Sequence, residues 1–82
     1  MDFYKRIKQI NTWNNLLEFL KIMRLTIIKY DISLINRIKK FLGLTYEISI
    51  IVSNSIVTYK IDLIMTESST EKFLNIKNIT IL

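Results

Sequence analysis

Only one residue in this 82-residue chain, Gly43, can adopt a left-handed backbone without steric cost. The hydrophobic pattern changes at that residue. Before it, apolar side chains recur at helical spacing; after it, they alternate as in strands. No proline interrupts either half, and no linker separates them. The sequence therefore predicts one α+β domain, with two or three N-terminal helices packed on a three-stranded, mainly antiparallel sheet. Residues 1–42 form the helical half and residues 43–82 the sheet.

In the helical half, Phe3, Ile7 and Ile10 share one face of a first helix over residues 3–10, with Asp2 as its N-cap. The phase breaks between Asn11 and Asn14. Asn15-Leu16-Leu17-Glu18 then has the form of a capping box and starts a second helix running to about Tyr30. That helix is apolar around most of its circumference. Its last part, Leu25-Thr26-Ile27-Ile28, is rich in β-branched residues, so residues 25–30 also admit a strand. Asp31 or Ser33 caps a third helix over about 32–42. Leu34, Ile35, Ile38, Phe41 and Leu42 occupy one arc of it. Ser33, Asn36, Arg37 and Lys40 lie opposite, with Lys39 at the border. Lys39 and Lys40 suit the last turn of a helix, and Gly43 suits its left-handed C-cap.

The sheet half reads as a hairpin over residues 45–66. A two-residue turn at Asn54-Ser55 pairs Tyr46 with Leu63, Ile48 with Ile61, Ile50 with Tyr59 and Val52 with Val57. These eight apolar residues form the face that meets the helices. Ser68-Ser69-Thr70-Glu71 predicts a helical turn near 69–75, and Ile76 to Leu82 a third strand.

The chemistry open to such a chain is narrow. It has no cysteine and no histidine, so thiol nucleophiles, disulfides, thiolate zinc sites and imidazole bases are absent. One glycine cannot build a phosphate-cradling loop. The expectation is a protein that is not an enzyme and uses no cofactor or metal. The predicted register sets Glu47 across from Asp62 with Lys60 diagonal, which reads as an exposed charged sheet face rather than an acid–base pair. Seventeen isoleucines, nine lysines and seven asparagines, with no alanine, are the residues of A- and T-rich codons. They suggest an AT-rich genome such as that of a phage, virus, organelle or low-GC bacterium, and the small catalysis-poor chain makes a virus, phage or mobile element the expected source.

Charge is unevenly spread. Residues 1–42 carry nine Lys/Arg and three Asp/Glu, net +6; residues 43–82 carry three and four, net −1. A basic helical half suits phosphate-rich partners. On the third helix Ser33, Asn36, Arg37, Lys39 and Lys40 are the candidate nucleic-acid contacts, being residue types that reach base edges and phosphates. In pattern alone, over residues 15–66, the order of helices and hairpin resembles a winged helix-turn-helix. The hairpin tip, Ser53-Asn54-Ser55, departs from that pattern in not being basic, and the second helix is long for it.

Apolar surface offers a different route. Ile22, Leu25 and Ile51, with Ile56 and Ile64, fall off the predicted core faces and are candidate protein-interface positions. Two functions follow as expectations. One is a small non-catalytic protein that contacts nucleic acid or a nucleoprotein complex, an inhibitor of the anti-CRISPR sort being one such case. The other is a protein–protein interaction or structural subunit, either a homodimer or a component of an assembly such as an organellar ribosome. Charged residues interrupt the most apolar stretch, Leu16 to Ile38, and the first residues lack a secretory pattern. No membrane contact is expected, and the location is expected to be the cytoplasm or an organellar matrix.

Overall fold

The computed structural model describes residues 3–82. The predicted Asp2 cap lies outside them. The element order is α1 (Phe3–Lys8), α2 (Trp13–Ile22), β1 (Thr26–Asp31), α3 (Leu34–Phe41), β2 (Tyr46–Ser53), β3 (Thr58–Glu67) and β4 (Lys72–Ile81). The fold is α+β, with three helices and one antiparallel sheet among the described residues, its strands in the order β1-β2-β3-β4. The sheet has four strands rather than three because residues 26–31 are a strand.

A β-bulge explains why that strand resembles a helix in sequence. The register shifts between Ile27 and Lys29, leaving Ile28 unpaired. Ile27 pairs with Val52 and Tyr30 with Ile50, both core-facing partners. Two side chains three residues apart therefore point the same way, which is helical spacing produced by an extended chain. With β1 between α2 and α3, the likeness to a winged helix-turn-helix does not extend to the chain order.

The β2–β3 hairpin uses the predicted faces in a different register. Tyr46 pairs with Met65, Ile48 with Leu63, Ile50 with Ile61 and Val52 with Tyr59. The loop is longer than predicted and spans residues 54–57. Asn54 Oδ1 accepts the N–H groups of Ile56 (2.8 Å) and Val57 (2.9 Å), and Asn54 N–H donates to Val57 O. This side-chain-mimicked turn moves the register by two residues, an even number, so every side chain keeps its face. Val57 passes into the loop and Met65 joins the core. The expected helical turn at 69–75 is instead the tight link between β3 and β4. Ser68 Oγ accepts the N–H groups of Thr70 and Glu71, and Ser68 N–H donates to Glu71 O at 2.8 Å.

One face of the sheet carries Tyr46, Ile48, Ile50, Val52, Ile61, Leu63, Met65 and Leu74 into a single core with Ile7 of α1 and Leu16, Phe19 and Leu20 of α2. Phe3 stacks on Tyr59 with ring centroids 4.7 Å apart and lies 5.6 Å from Phe19, sealing the α1 end. Thr12, not Asn15, caps α2: its hydroxyl accepts Asn15 N–H at 3.2 Å. The link between α1 and α2 also runs along the β4 edge, where Leu74 N–H donates to Asn11 O at 2.9 Å.

Helices α2 and α3 end in the same motif. After α3, Leu44 N–H reaches Lys39 O (2.9 Å) and Gly43 N–H reaches Lys40 O (3.1 Å), with Gly43 at φ +74°. After α2, Leu25 N–H reaches Leu20 O (2.8 Å) and Arg24 N–H reaches Lys21 O (3.0 Å), with Arg24 at φ +56°. Both are Schellman caps. The predicted left-handed glycine is in place, and an arginine does the same job at the other helix. There the motif folds Leu25 back beside Leu20 into the core.

Candidate interaction surface

The position of α3 follows from its connections. It joins the ends of β1 and β2, which are antiparallel neighbours, through short links at 32–33 and 42–45. A helix tied to two adjacent strand ends sits at the end of the sheet, while α1 and α2 already cover the core face. No residue of α3 is buried.

The polar side of α3 holds it there. β1 ends at Asp31, opposite Ser49, so further along β2 the Glu47 N–H has no strand partner on that side. Asn36 Oδ1 accepts it at 2.9 Å. Asn36 Nδ2 also donates to Ser33 Oγ at 2.7 Å, tying the anchor to the N-cap, and Ser33 Oγ receives Asn36 N–H as well. One turn on, the Lys40 ammonium lies 5.6 Å from the centre of the Tyr46 ring. Arg37 and Lys40, with Tyr30, Ile32, Phe41 and Glu67, line a cleft on this side. Tyr46 donates its hydroxyl to Glu67 Oε1 at 2.5 Å. Burial, this hydrogen bond and the Glu67 charge all push the Tyr46 phenol well above its ordinary range. Tyr30 is raised too, first by burial and then by Glu67.

The five candidate nucleic-acid contacts therefore do not form one outward face. Ser33 caps the helix, Asn36 anchors it, Lys40 covers Tyr46, and Arg37 and Lys39 lie on opposite flanks. What α3 presents outward is its apolar arc. Leu34, Ile35, Ile38, Phe41 and Leu42 are all exposed, from 46% at Ile38 to 89% at Phe41, and Leu44 beyond the cap is also exposed. The sequence pattern shows the arc clearly but not its direction. Direction depends on the Asn36–Glu47 bond and on where β1 stops.

The candidate interface positions are scattered. Ile22 is 71% exposed at the end of α2, and Ile51 is half-buried on the outer sheet face. Leu25 is 6% exposed and belongs to the core, so it offers no surface to a partner. Its place in the Schellman cap turns it inward.

The predicted carboxylate pair is also corrected. Glu47 lies opposite Ile64 and forms an ion pair with Lys77 at 3.0 Å. Lys77 is the residue left unpaired by the bulge in β4. Asp62 lies opposite Ser49, whose hydroxyl donates to it at 2.5 Å. Asp31, Ser49, Asp62 and Asn78 thus form a polar row across the outer face of all four strands. Among the described residues no group of three or more Asp and Glu side chains is placed to hold a metal ion, and no helix is long and apolar enough to cross a membrane.

No known protein family, curated protein or solved structure matches the chain.

Proposed function

We propose that this chain is a non-catalytic interaction protein whose contact surface is the apolar ridge of α3. One observation carries the reading: α3 is fastened to the sheet through Asn36 and Lys40, leaving five apolar side chains directed away from the core. Contiguous apolar surface of this kind marks contact sites in soluble proteins. The ridge also has the spacing of a helix that enters a partner's groove, with Leu34, Ile38 and Phe41 at i, i+4 and i+7. A photo-crosslinking phenylalanine analogue at position 41, in the cell of origin, tests it. Protein adducts should form there and not with the same analogue at Ile56, which is equally exposed but lies in the hairpin loop. Equal labelling from both positions would count against the ridge.

A second reading is contact with nucleic acid. Its support is that the described residues contain one ion pair, Lys77 with Glu47, in a chain with twelve Lys and Arg. The exposed cations include Lys5, Arg6 and Lys8 of α1 and Lys21 of α2. Retention on heparin that falls steeply with salt, and that Lys5→Glu with Lys8→Glu weakens, is the expected result. A chain that passes through heparin unretained at low salt excludes this reading.

A further inference from the structure

We propose that the occupant of the α3 ridge is a second copy of this chain, with the two α3 helices antiparallel about a two-fold axis through Ile38. This rests on the interaction reading above and names its partner.

The pattern of the ridge is the first argument. In a two-fold interface, if residue i meets residue j, then j meets i. The apolar residues of α3 are arranged symmetrically about Ile38: Leu34 and Leu42 lie four residues to either side, and Ile35 and Phe41 three. An antiparallel pair centred there sets Leu34 against Leu42, Ile35 against Phe41, and Ile38 against itself. Every apolar side chain meets an apolar side chain. The row Leu34-Ile38-Leu42 is an i±4 ridge, the kind that interdigitates when helices cross at about −50°.

Area is the second argument. The exposed parts of Leu34, Ile35, Ile38, Phe41, Leu42 and Leu44 come to roughly 700–800 Å², given whole-residue surfaces of about 200 Å². That is close to one partner's share of a standard interface, about 800 Å². Full cover of two such ridges would reach the size of a specific interface.

Electrostatics supply a signature. Arg37 and Lys39 flank the ridge on opposite sides, and in the antiparallel pair each flank meets its own copy. Each chain also carries +5. The pair is apolar at its centre and like-charged at its margins, so added salt screens the repulsion and tightens association. Contact with an acidic protein, a nucleic acid or an anionic lipid surface has the opposite salt dependence.

Sedimentation of the purified full chain at about 100 µM is the first test. Twice the 9.8 kDa chain mass is expected, with a dissociation constant that falls as salt rises. Phe41→Asp and Ile38→Lys should each weaken the pair by roughly thirtyfold or more. Circular dichroism should not change, since both side chains are exposed in the single chain.

The chain has no cysteine, so a second test is free of background. Ile38→Cys should oxidise to a disulfide-linked pair, while Ser55→Cys, in the distant hairpin loop, should not. The oxidation test still reads the seam if a charged variant fails to fold.

A monomer at this concentration in both low and high salt overturns the proposal. So does a dimer indifferent to both substitutions, or one that salt dissociates. If the purified chain is monomeric and position 41 crosslinks only to a different protein in cells, the second-copy proposal falls while the interaction reading stands. Crosslinking to neither removes both. Cosedimentation of the monomer with phosphatidylglycerol vesicles, lost in Phe41→Asp, would assign the ridge to a membrane and overturn the proposal.

Discussion

The side-chain oxygen of Asn36 accepts the backbone N–H of Glu47 at 2.9 Å, at the point where β1 has ended and β2 has lost its neighbour. One side chain takes the place of a strand residue and sets the direction of a helix. Asn36→Ala should therefore cost about 1 kcal/mol in denaturant unfolding and speed amide exchange at Glu47 by more than the roughly fivefold that the lost global stability gives the sheet centre at Ile50 and Ile61. Asn36→Asp keeps the acceptor and should recover most of the loss. Exchange at Glu47 that rises no more than at Ile50 and Ile61 would show that α3 is held by other contacts.

The paired helix caps make opposite predictions. Gly43 has open space around the position of a Cβ, so any side chain there is penalised only by its φ of +74°. Gly43→Val should destabilise by on the order of 1 kcal/mol or more, and Gly43→Asn by much less. Arg24 already bears this strain at φ +56°. Arg24→Gly should raise stability by about 0.5–1 kcal/mol. Thermal melts of the variants check this, and a destabilised Arg24→Gly would contradict the cap geometry.

The cap of α2 separates the two assignments made for it. Thr12→Ala should lower stability by about 1 kcal/mol, because its hydroxyl receives Asn15 N–H and the residue is buried. Asn15→Ala should leave the melting temperature within experimental error. The reverse order would restore the cap read from the sequence.

Alkaline pH tests the Tyr46–Glu67 bond. A phenol whose folded pKa is raised above its unfolded value near 10 stabilises the fold fully below that pH. The contribution is lost as pH climbs from about 10 toward the folded pKa. Tyr30 acts in the same direction. Unfolding free energy should therefore decline above about pH 10, with a shallower slope in Tyr46→Phe. An identical slope in the two proteins would show that Tyr46 ionises as freely in the fold as out of it.

The chain's two halves differ in how far pattern alone reveals them. In the hairpin, period-two alternation fixed which side chains face the core. The error in loop length changed partners but not faces, because the slip was even. The third helix was legible from its cap, Ser33, to its terminating glycine, Gly43. Residues 25–30 stayed open between helix and strand: their β-branched side chains favour the strand that forms, while a bulge at Ile28 gives the extended segment helical spacing. Arg24 gave no signal at all, because nothing in an arginine announces a left-handed backbone. The surface suffered most. Both the basic face and the apolar arc of α3 could be read from the sequence, but their orientation depends on a bond between Asn36 and a backbone group eleven residues away. Sequence spacing does not encode that contact.

The bond from Leu74 to Asn11 also bears on the order in which the molecule assembles. It closes a loop of about sixty residues, and both α1 and α2 lean on β4, the last of the seven elements. The helices are made before β4, yet they gain part of their support from it. Contacts so distant in sequence slow folding, since the chain must be closed before they stabilise it. Until β4 has been made, Ile7, Leu16 and Phe19 lack part of their cover, and transiently exposed apolar surface of that kind is what makes a folding intermediate prone to aggregate.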